Sequence, residues 1–195
     1  MVAQALIQRI IQTKPKACTS IWPMAPARMP MRRPKAAAPV LLEGLKRLEY
    51  RGYDSAGVAL LDSDGLKVVK RAGKLGVLEA ALGALPLNCG CGIGHTRWAT
   101  HGAPTQPNAH PHTSRAGDIA MVHNGIFENA ESIRAQLLAE GFAFVSETDT
   151  EVIVHLIDHL WVDGDPMEDA VAAALRLVEG AYGIAVVSSR DPDKI

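Results

Sequence analysis

From residue 40 onward the apolar residues recur with helical and strand periods, and turn-forming residues separate the runs. Leu41, Leu42, Leu45 and Leu48 fall on one helical face, with Pro39 suited to the helix start. Residues 56–61 and 66–70 predict strands, joined by Asp62-Ser63-Asp64-Gly65 as a hairpin turn. A short helix over 75–85 is stopped by Pro86, and strands follow at 92–96 and 119–123. Between those strands runs a long polar loop with Pro104, Pro107 and Pro111. A helix over 131–140 ends at Gly141, and a strand is expected at 142–145. From Thr150, the residues Val152, Ile153, Leu156, Ile157, Leu160 and Trp161 repeat at the spacing of an amphipathic helix. Asp165-Pro166 predicts the capped start of another helix, with Met167, Val171, Ala174, Leu175 and Val178 inward. Residues 182–188 close the series as a strand. Hairpins with paired helices predict an α+β layered domain, not a βαβ array.

The first 39 residues break this pattern. Six of the chain's 12 prolines fall there, so no helix or strand runs between them after Pro15. Residues 5–11 alone suit one or two helical turns. Arg9, Lys14, Lys16, Arg28, Arg32, Arg33 and Lys35 are accompanied by no Asp or Glu, which gives the segment a superficial likeness to a transit peptide. Its Arg and Pro cluster late, where an amphipathic helix would need continuity, so residues 1–39 are read as a disordered, aberrant leader and 40–195 as the folded domain.

That split changes the charge picture. The formal net charge of -1 hides a folded part holding 13 of the 20 basic residues against all 21 acidic ones. So acidic a surface excludes nucleic acid as a partner. No apolar run reaches the ~18 residues of a membrane span. Three cysteines in 195 residues argue against a disulfide framework and for a cytoplasmic setting.

Polar chemistry clusters at strand ends and loops. Gly94-His95-Thr96-Arg97-Trp98-Ala99-Thr100-His101-Gly102 packs a guanidinium, an indole, hydroxyls and imidazoles into nine positions. Its Arg suits bidentate capture of a carboxylate or phosphate. In His123-Asn124-Gly125, at the end of an apolar strand, an Asn amide and a Gly N–H are able to face one developing oxyanion. Ser146-Glu147-Thr148-Asp149-Thr150-Glu151 sets three carboxylates at a helix start, where one or two serve as caps. A cation, an anion and an oxyanion hole together describe a site for a zwitterion bearing a reactive amide or acyl group.

These segments, with Leu48-Glu49-Tyr50-Arg51-Gly52-Tyr53-Asp54-Ser55-Ala56-Gly57 and Asn108-Ala109-His110-Pro111-His112, resemble the glutaminase domain of the glutamine–fructose-6-phosphate aminotransferase family. The resemblance covers residues 40–195. It implies a four-layer αββα N-terminal-nucleophile (class II amidotransferase) sandwich, here incomplete at both ends, that needs no cofactor or metal. It further implies that Arg97 binds the α-carboxylate of L-glutamine and Asp149 its α-ammonium, while Thr100 and His101 line the pocket and Trp98 sits on a closing loop. Asn124 and Gly125 would form the oxyanion hole, and Arg51 would lie near the nucleophile. Intact relatives are expected to be homodimers that aminate fructose 6-phosphate to glucosamine 6-phosphate.

Two departures bear on activity. The family's nucleophile is an N-terminal Cys whose own α-amino group is the base. The strand that should carry it, counted back from the first helix, falls on Pro26-Ala27-Arg28-Met29-Pro30, which has no Cys. Cys91-Gly92-Ile93 imitates the signature inside a strand, without a free amine, and Cys18 is followed by Thr19 and lies too far upstream. Cys89-x-Cys91-x3-His95 lacks structural-zinc spacing. His155 and His159, four residues apart on one helix, are expected on a solvated face. The chain also ends within the glutaminase region, so the sugar-isomerase domains that would take fructose 6-phosphate are not part of it. Two readings result: the glutaminase portion of an isomerising aminotransferase lacking its nucleophile, or a non-catalytic glutamine-binding or structural remnant of a disrupted gene.

Overall fold

A computed structural model describes residues 11–12, 36–52, 54–83, 89–98 and 102–195. In chain order the elements are β1 (Ile11–Gln12), α1 (Ala37–Lys46), a 3-10 turn (Glu49–Arg51), β2 (Ser55–Asp62), β3 (Gly65–Ala72), α2 (Leu75–Gly83), β4 (Cys91–Arg97), β5 (His112–Thr113), β6 (Ile119–Phe127), α3 (Ala130–Ala139), α4 (Asp149–Leu160), α5 (Met167–Leu175) and β7 (Gly180–Ser188). They build a four-stranded sheet in the order β1-β4-β2-β3 and a three-stranded sheet in the order β5-β6-β7. Every neighbouring pair is antiparallel.

Side-chain alternation along the strands sets the layers. On β2, Ala56, Val58 and Leu60 meet Leu41 and Leu45 of α1 and Leu78 of α2, while Ala59 faces the other way. Ala59 and Ile93 pack against Ala120 and Val122 of β6 and Ala185 and Val187 of β7, so small apolar residues fill the space between the sheets. The outer face of β6 and β7 carries Ile119, Met121 and Val186 onto the three C-terminal helices, which answer with Ile133, Ile153 and Ile157 among others. Helix, sheet, sheet, helix is the αββα order, and the α+β expectation holds. Gly92 and Gly94 let α1 lie close on β4, since a methyl group at either would be 3.2 Å from the Leu41 or Leu45 side chain. Each fully buried Leu or Ile in these layers contributes about 1.5–3 kcal/mol of transfer free energy.

Several local expectations are corrected. The first helix starts at Ala37, with Pro39 in a first turn that needs no N–H from it. The Ala37 amide donates to the Cys89 carbonyl at 2.7 Å, which ties the helix start to the lead-in of β4. Ile11 is not helical: Ile11 and Gln12 pair with Gly92 and Cys91 along the open edge of β4. The other residues before 36 lie outside the described set, as do 84–88 at the expected end of the second helix. Strand β6 continues four residues past His123 because β7 pairs with it as far as Gly180. Residues 142–145 are not a strand. The Val145 and Ser146 amides donate to the Glu151 carboxylate at 2.8 and 2.7 Å, and Arg134 stacks 4.4 Å over the Phe144 ring. Helix α5 is capped by Asp191, whose Oδ2 accepts from Met167 N at 3.2 Å, while Asp165 gives its carbonyl to Trp161 Nε1. Among the described residues no helix is long and apolar enough to cross a membrane.

At Gly57 a methyl group would lie 2.2 Å from the His110 carbonyl oxygen and 2.6 Å from Lys70 Cβ. Gly57→Ala is expected to destabilise the fold by about 1–3 kcal/mol through overpacking. Gly76→Ala, in a helix with open space around it, should be neutral or stabilising by up to about 1 kcal/mol. Urea denaturation of both variants checks the pair; equal effects would contradict the packing described.

Candidate active site

Arg97 ends β4 opposite Ser55 of β2 and is buried although charged. Its guanidinium donates to the Gly102 and Ala103 carbonyls at 3.3 and 3.4 Å and lies 4.0 Å from Asp54 Oδ1. The loop bearing those carbonyls is clasped to the approach to α4. Asn108 Nδ2 donates to the Ala103 carbonyl and to Glu147 Oε2, both at 3.0 Å, and Glu147 N donates back to Asn108 Oδ1 at 2.9 Å. Trp98 follows Arg97 and is 57% exposed. Thr100 and His101 lie outside the described residues, as does the side chain of Arg51, whose backbone is in the 3-10 turn.

Asn124 and Gly125 sit within β6 and are exposed, facing Gly183 and Tyr182 of β7. Gly125 has φ +139°, and a Cβ there would be 2.2 Å from the Ala181 carbonyl oxygen, so only glycine fits. Asp149 opens α4, half-buried; its Oδ2 accepts from Phe127 N at 3.1 Å, and its Oδ1 is 3.7 Å from His123 Nδ1. The three neighbouring carboxylates thus divide. Glu147 clasps the Asn108 loop, Asp149 faces β6, and Glu151 is buried in the cap. Thr148 accepts from Glu151 N at 3.4 Å, while the Glu151 carboxylate takes the Val145 and Ser146 amides and the Ser146 hydroxyl. Burial alone would raise the Glu151 pKa, but hydrogen bonds from His155, Ser146 and the Val145 and Ser146 amides outweigh it and hold it at about 2. Arg134 closes the turn by donating to the Thr148 carbonyl at 2.9 Å.

Behind these groups lies a cluster that the sequence reading did not foresee. The His95 and His110 rings stack at 4.4 Å, and the His112 ring meets His110 edge-on at 4.9 Å. His110 Nε2 and His123 Nδ1 both reach the Thr150 hydroxyl, at 2.9 and 3.0 Å, and His112 Nε2 reaches the Thr148 hydroxyl at 3.0 Å. Burial pushes His95 and His123 down to about 4 and His112 to about 3; His110 falls well below its usual value. Mutual repulsion and the Arg97 charge add to the effect on His95 and His110, so these imidazoles are neutral. Lys70 shares the region, donating to the Pro107 and Ala109 carbonyls, and burial pushes it down to about 8. His155 is buried too, 3.6 Å from Glu151, and not on a solvated face as expected; His159 is the exposed one of that pair. The one sequence signal for the cluster was the Thr148-x-x-Glu151 cap, which locates the hydroxyls but not their histidine partners.

Cys89 packs among the α1 and α2 side chains, whereas Cys91 packs between the sheets. His95 lies four strand residues beyond Cys91, about 13 Å at the usual rise. The three do not converge on one ion. The arrangement instead offers a buried cation, a half-buried carboxylate and an exposed amide beside a glycine N–H.

A family model described as a glutamine amidotransferase domain matches residues 95–194. The chain is 55% identical over 166 residues to the isomerizing glutamine–fructose-6-phosphate aminotransferase of Chlorobaculum tepidum, covering 83% of this chain and 27% of that one. It is 57% identical over 159 residues to the enzyme of that name from Thermus thermophilus, covering 82% and 26%. The chain therefore spans about a quarter of the length of the curated relatives it matches. Among solved structures, the glutamine phosphoribosylpyrophosphate amidotransferase from B. subtilis, complexed with ADP and GMP, superposes with TM-score 0.67 at 28% identity, over 78% of this chain and 33% of that one. The allosteric regulatory enzyme of purine biosynthesis superposes at 0.64 and 30%, over 75% and 32%.

The buried neutral histidines make stability depend on pH with a fixed sign. Their folded pKa values lie below the unfolded value of 6.5, so between pH 6.5 and about 4 the unfolded chain binds protons that the folded chain refuses. The unfolding midpoint should fall steadily as pH drops through that window, and fall further towards pH 2 as Glu151 is protonated. Thermal unfolding followed by circular dichroism from pH 8 to 3 tests this; a flat profile between 6.5 and 4 would contradict the buried cluster.

Proposed function

The chain belongs to the glutamine amidotransferase domain family, and from that premise we propose that its site binds L-glutamine, as the glutaminase portion of a glutamine–fructose-6-phosphate aminotransferase. Arg97 is a buried cation, Asp149 a half-buried carboxylate and Asn124-Gly125 an exposed pair, and a zwitterion with a side-chain amide needs that combination. Arg97 takes the α-carboxylate and Asp149 the α-ammonium. The Asn124 amide and Gly125 N–H face the carbonyl oxygen that becomes an oxyanion on attack. By likeness to the family, Trp98 is assigned to the closing loop, Thr100 and His101 to the pocket lining, and Arg51 to the neighbourhood of the nucleophile. The fructose-6-phosphate aminotransferase activity is named for relatives of which this chain spans about a quarter. Free thiols at Cys89 and Cys91 fit a cytoplasmic setting.

Recognition and hydrolysis separate in this sequence. Attack on the amide needs a thiolate with a nearby base. Burial first, then the Asp62 carboxylate that accepts its hydrogen bond, pushes the Cys89 thiol up to about 11. Burial also raises Cys91, which is paired within β4. Neither suits a nucleophile, and Pro26-Ala27-Arg28-Met29-Pro30, where the family's nucleophile strand is expected, holds no Cys. On this reading residues 1–195 bind glutamine and do not turn it over.

Calorimetry with the full chain should show saturable binding of L-glutamine and none of D-glutamine. Arg97→Ala should remove about 2–4 kcal/mol of affinity, because its partner charge is left unmatched in a desolvated pocket. Coupled detection of glutamate should stay at the buffer-only rate. Turnover of ~1 per second, ordinary for an enzyme, would overturn the claim that the nucleophile is missing, and equal binding of both enantiomers would overturn the assignment of Arg97 and Asp149.

A further inference from the structure

Thr150 is fully buried in the first turn of α4, next to Asp149. Its hydroxyl oxygen lies 2.9 Å from His110 Nε2, 3.0 Å from His123 Nδ1 and 3.4 Å from Asp149 Oδ1. A hydroxyl has one proton to give and two lone pairs to share. Three partners use it up in one way. The carboxylate only accepts, so the hydroxyl proton points to Asp149 and both imidazoles donate into the oxygen. Each of these neutral rings has a single N–H, which fixes His110 as the Nε2–H tautomer and His123 as the Nδ1–H tautomer. His110 Nδ1 and His123 Nε2 are then bare lone pairs without a partner among the described residues, and an unmet acceptor is the cheaper orphan.

We propose that Thr150 is the positioning residue of the glutamine site: its hydroxyl aims Asp149 Oδ1 and, through His123, holds the part of β6 that carries Asn124 and Gly125 against the start of α4. The inference rests on the glutamine reading above. Three chain segments meet at this one oxygen. His110 comes from the loop whose Asn108 clasps Glu147, His123 from β6, and Asp149 from the helix itself. The other Asp149 oxygen is already held by the Phe127 amide, so the direction of Oδ1 is set by Thr150 and the nearby His123. The hydroxyls of Ser146 and Thr148 do different work, bonding each other, Glu151 and His112.

Thr150→Val deletes the hydroxyl at nearly constant shape, and Thr150→Ser keeps it. In the full chain, Thr150→Val is expected to weaken L-glutamine binding by about tenfold or more, the loss typical of a hydrogen bond to a charged group. Thr150→Ser should stay within about threefold. Nitrogen-15 spectra of the histidines supply a readout that general destabilisation does not move: His110 protonated at Nε2 and His123 at Nδ1 in the wild type, with that pattern lost in Thr150→Val. Unchanged binding in a folded Thr150→Val chain overturns the proposal, as does an unchanged tautomer pattern. If the wild type takes up no L-glutamine, the glutamine reading fails, and the tautomers alone decide whether Thr150 sets this geometry. Should Thr150→Val not fold, a wild-type His123 found protonated at Nε2 still overturns it.

Discussion

The buried polar seam where the start of α4 meets the two sheets is the constraint on which the rest of this molecule depends. At one end of the space between the sheets Ala59, Ile93, Ala120, Val122, Ala185 and Val187 pack without polar atoms. Around the start of α4, His95, His110, His112 and His123 are nearly excluded from water, as is Arg97. Placing so many polar rings in a low-dielectric space is costly unless they are neutral and bonded. At the start of α4 the Thr150 hydroxyl meets His110 and His123 and the Thr148 hydroxyl meets His112, while Ser146 and Glu151 bond one another. A helix cap, usually a local device worth about 1 kcal/mol, here also joins β5, β6 and the loop that leads into β5.

Local periodicity made much of the fold legible and stopped at long-range hydrogen bonds. The leucines of α1 and the spacing in α4 marked amphipathic helices, and Asp62-Ser63-Asp64-Gly65 marked the β2–β3 turn, which closes through Asp62 accepting from Asp64 N. Residues 142–145 alternate like a strand, yet the Phe142 amide goes to the Leu137 carbonyl, the Val145 amide to Glu151, and the Phe142 ring belongs to the helical core. Asn124-Gly125 looked like a strand end because neither residue favours a pleated sheet. It continues as β6 because β7 brings Gly183 and Tyr182 opposite. Composition carries no trace of such pairings.

For the site, legibility divided by sequence distance. Arg97, Asn124 and Asp149 stand in short polar strings at element ends, so their chemistry was visible before any geometry. The histidines are spread over 29 positions and reach one another only through the stacking of β4, β5 and β6, so they were legible as motif letters and not as a cluster. His155 misled for a similar reason. Its i, i+4 relation to His159 suggested one exposed face, but its relation to Glu151 on the other side draws it inward.

The same division separates what recognises a ligand from what holds the fold. Glu151 spends both oxygens on internal donors, and its depressed pKa records that use. Asp149 commits one oxygen to the Phe127 amide, while among the described residues the other meets a hydroxyl at 3.4 Å and a neutral imidazole at 3.7 Å, contacts that direct it without cancelling its charge. Arg97 donates to the carbonyls of Gly102 and Ala103, and the Asp54 carboxylate lies 4.0 Å from its guanidinium. A charge oriented by neutral partners keeps most of its field for a later visitor, whereas one paired inside a cap does not. Cys89 stands at the opposite limit: a thiol pushed to high pKa and bonded to Asp62 has neither the charge nor the access that attack demands. The residues suited to binding and the residues unsuited to chemistry are thus told apart by which partners hold them.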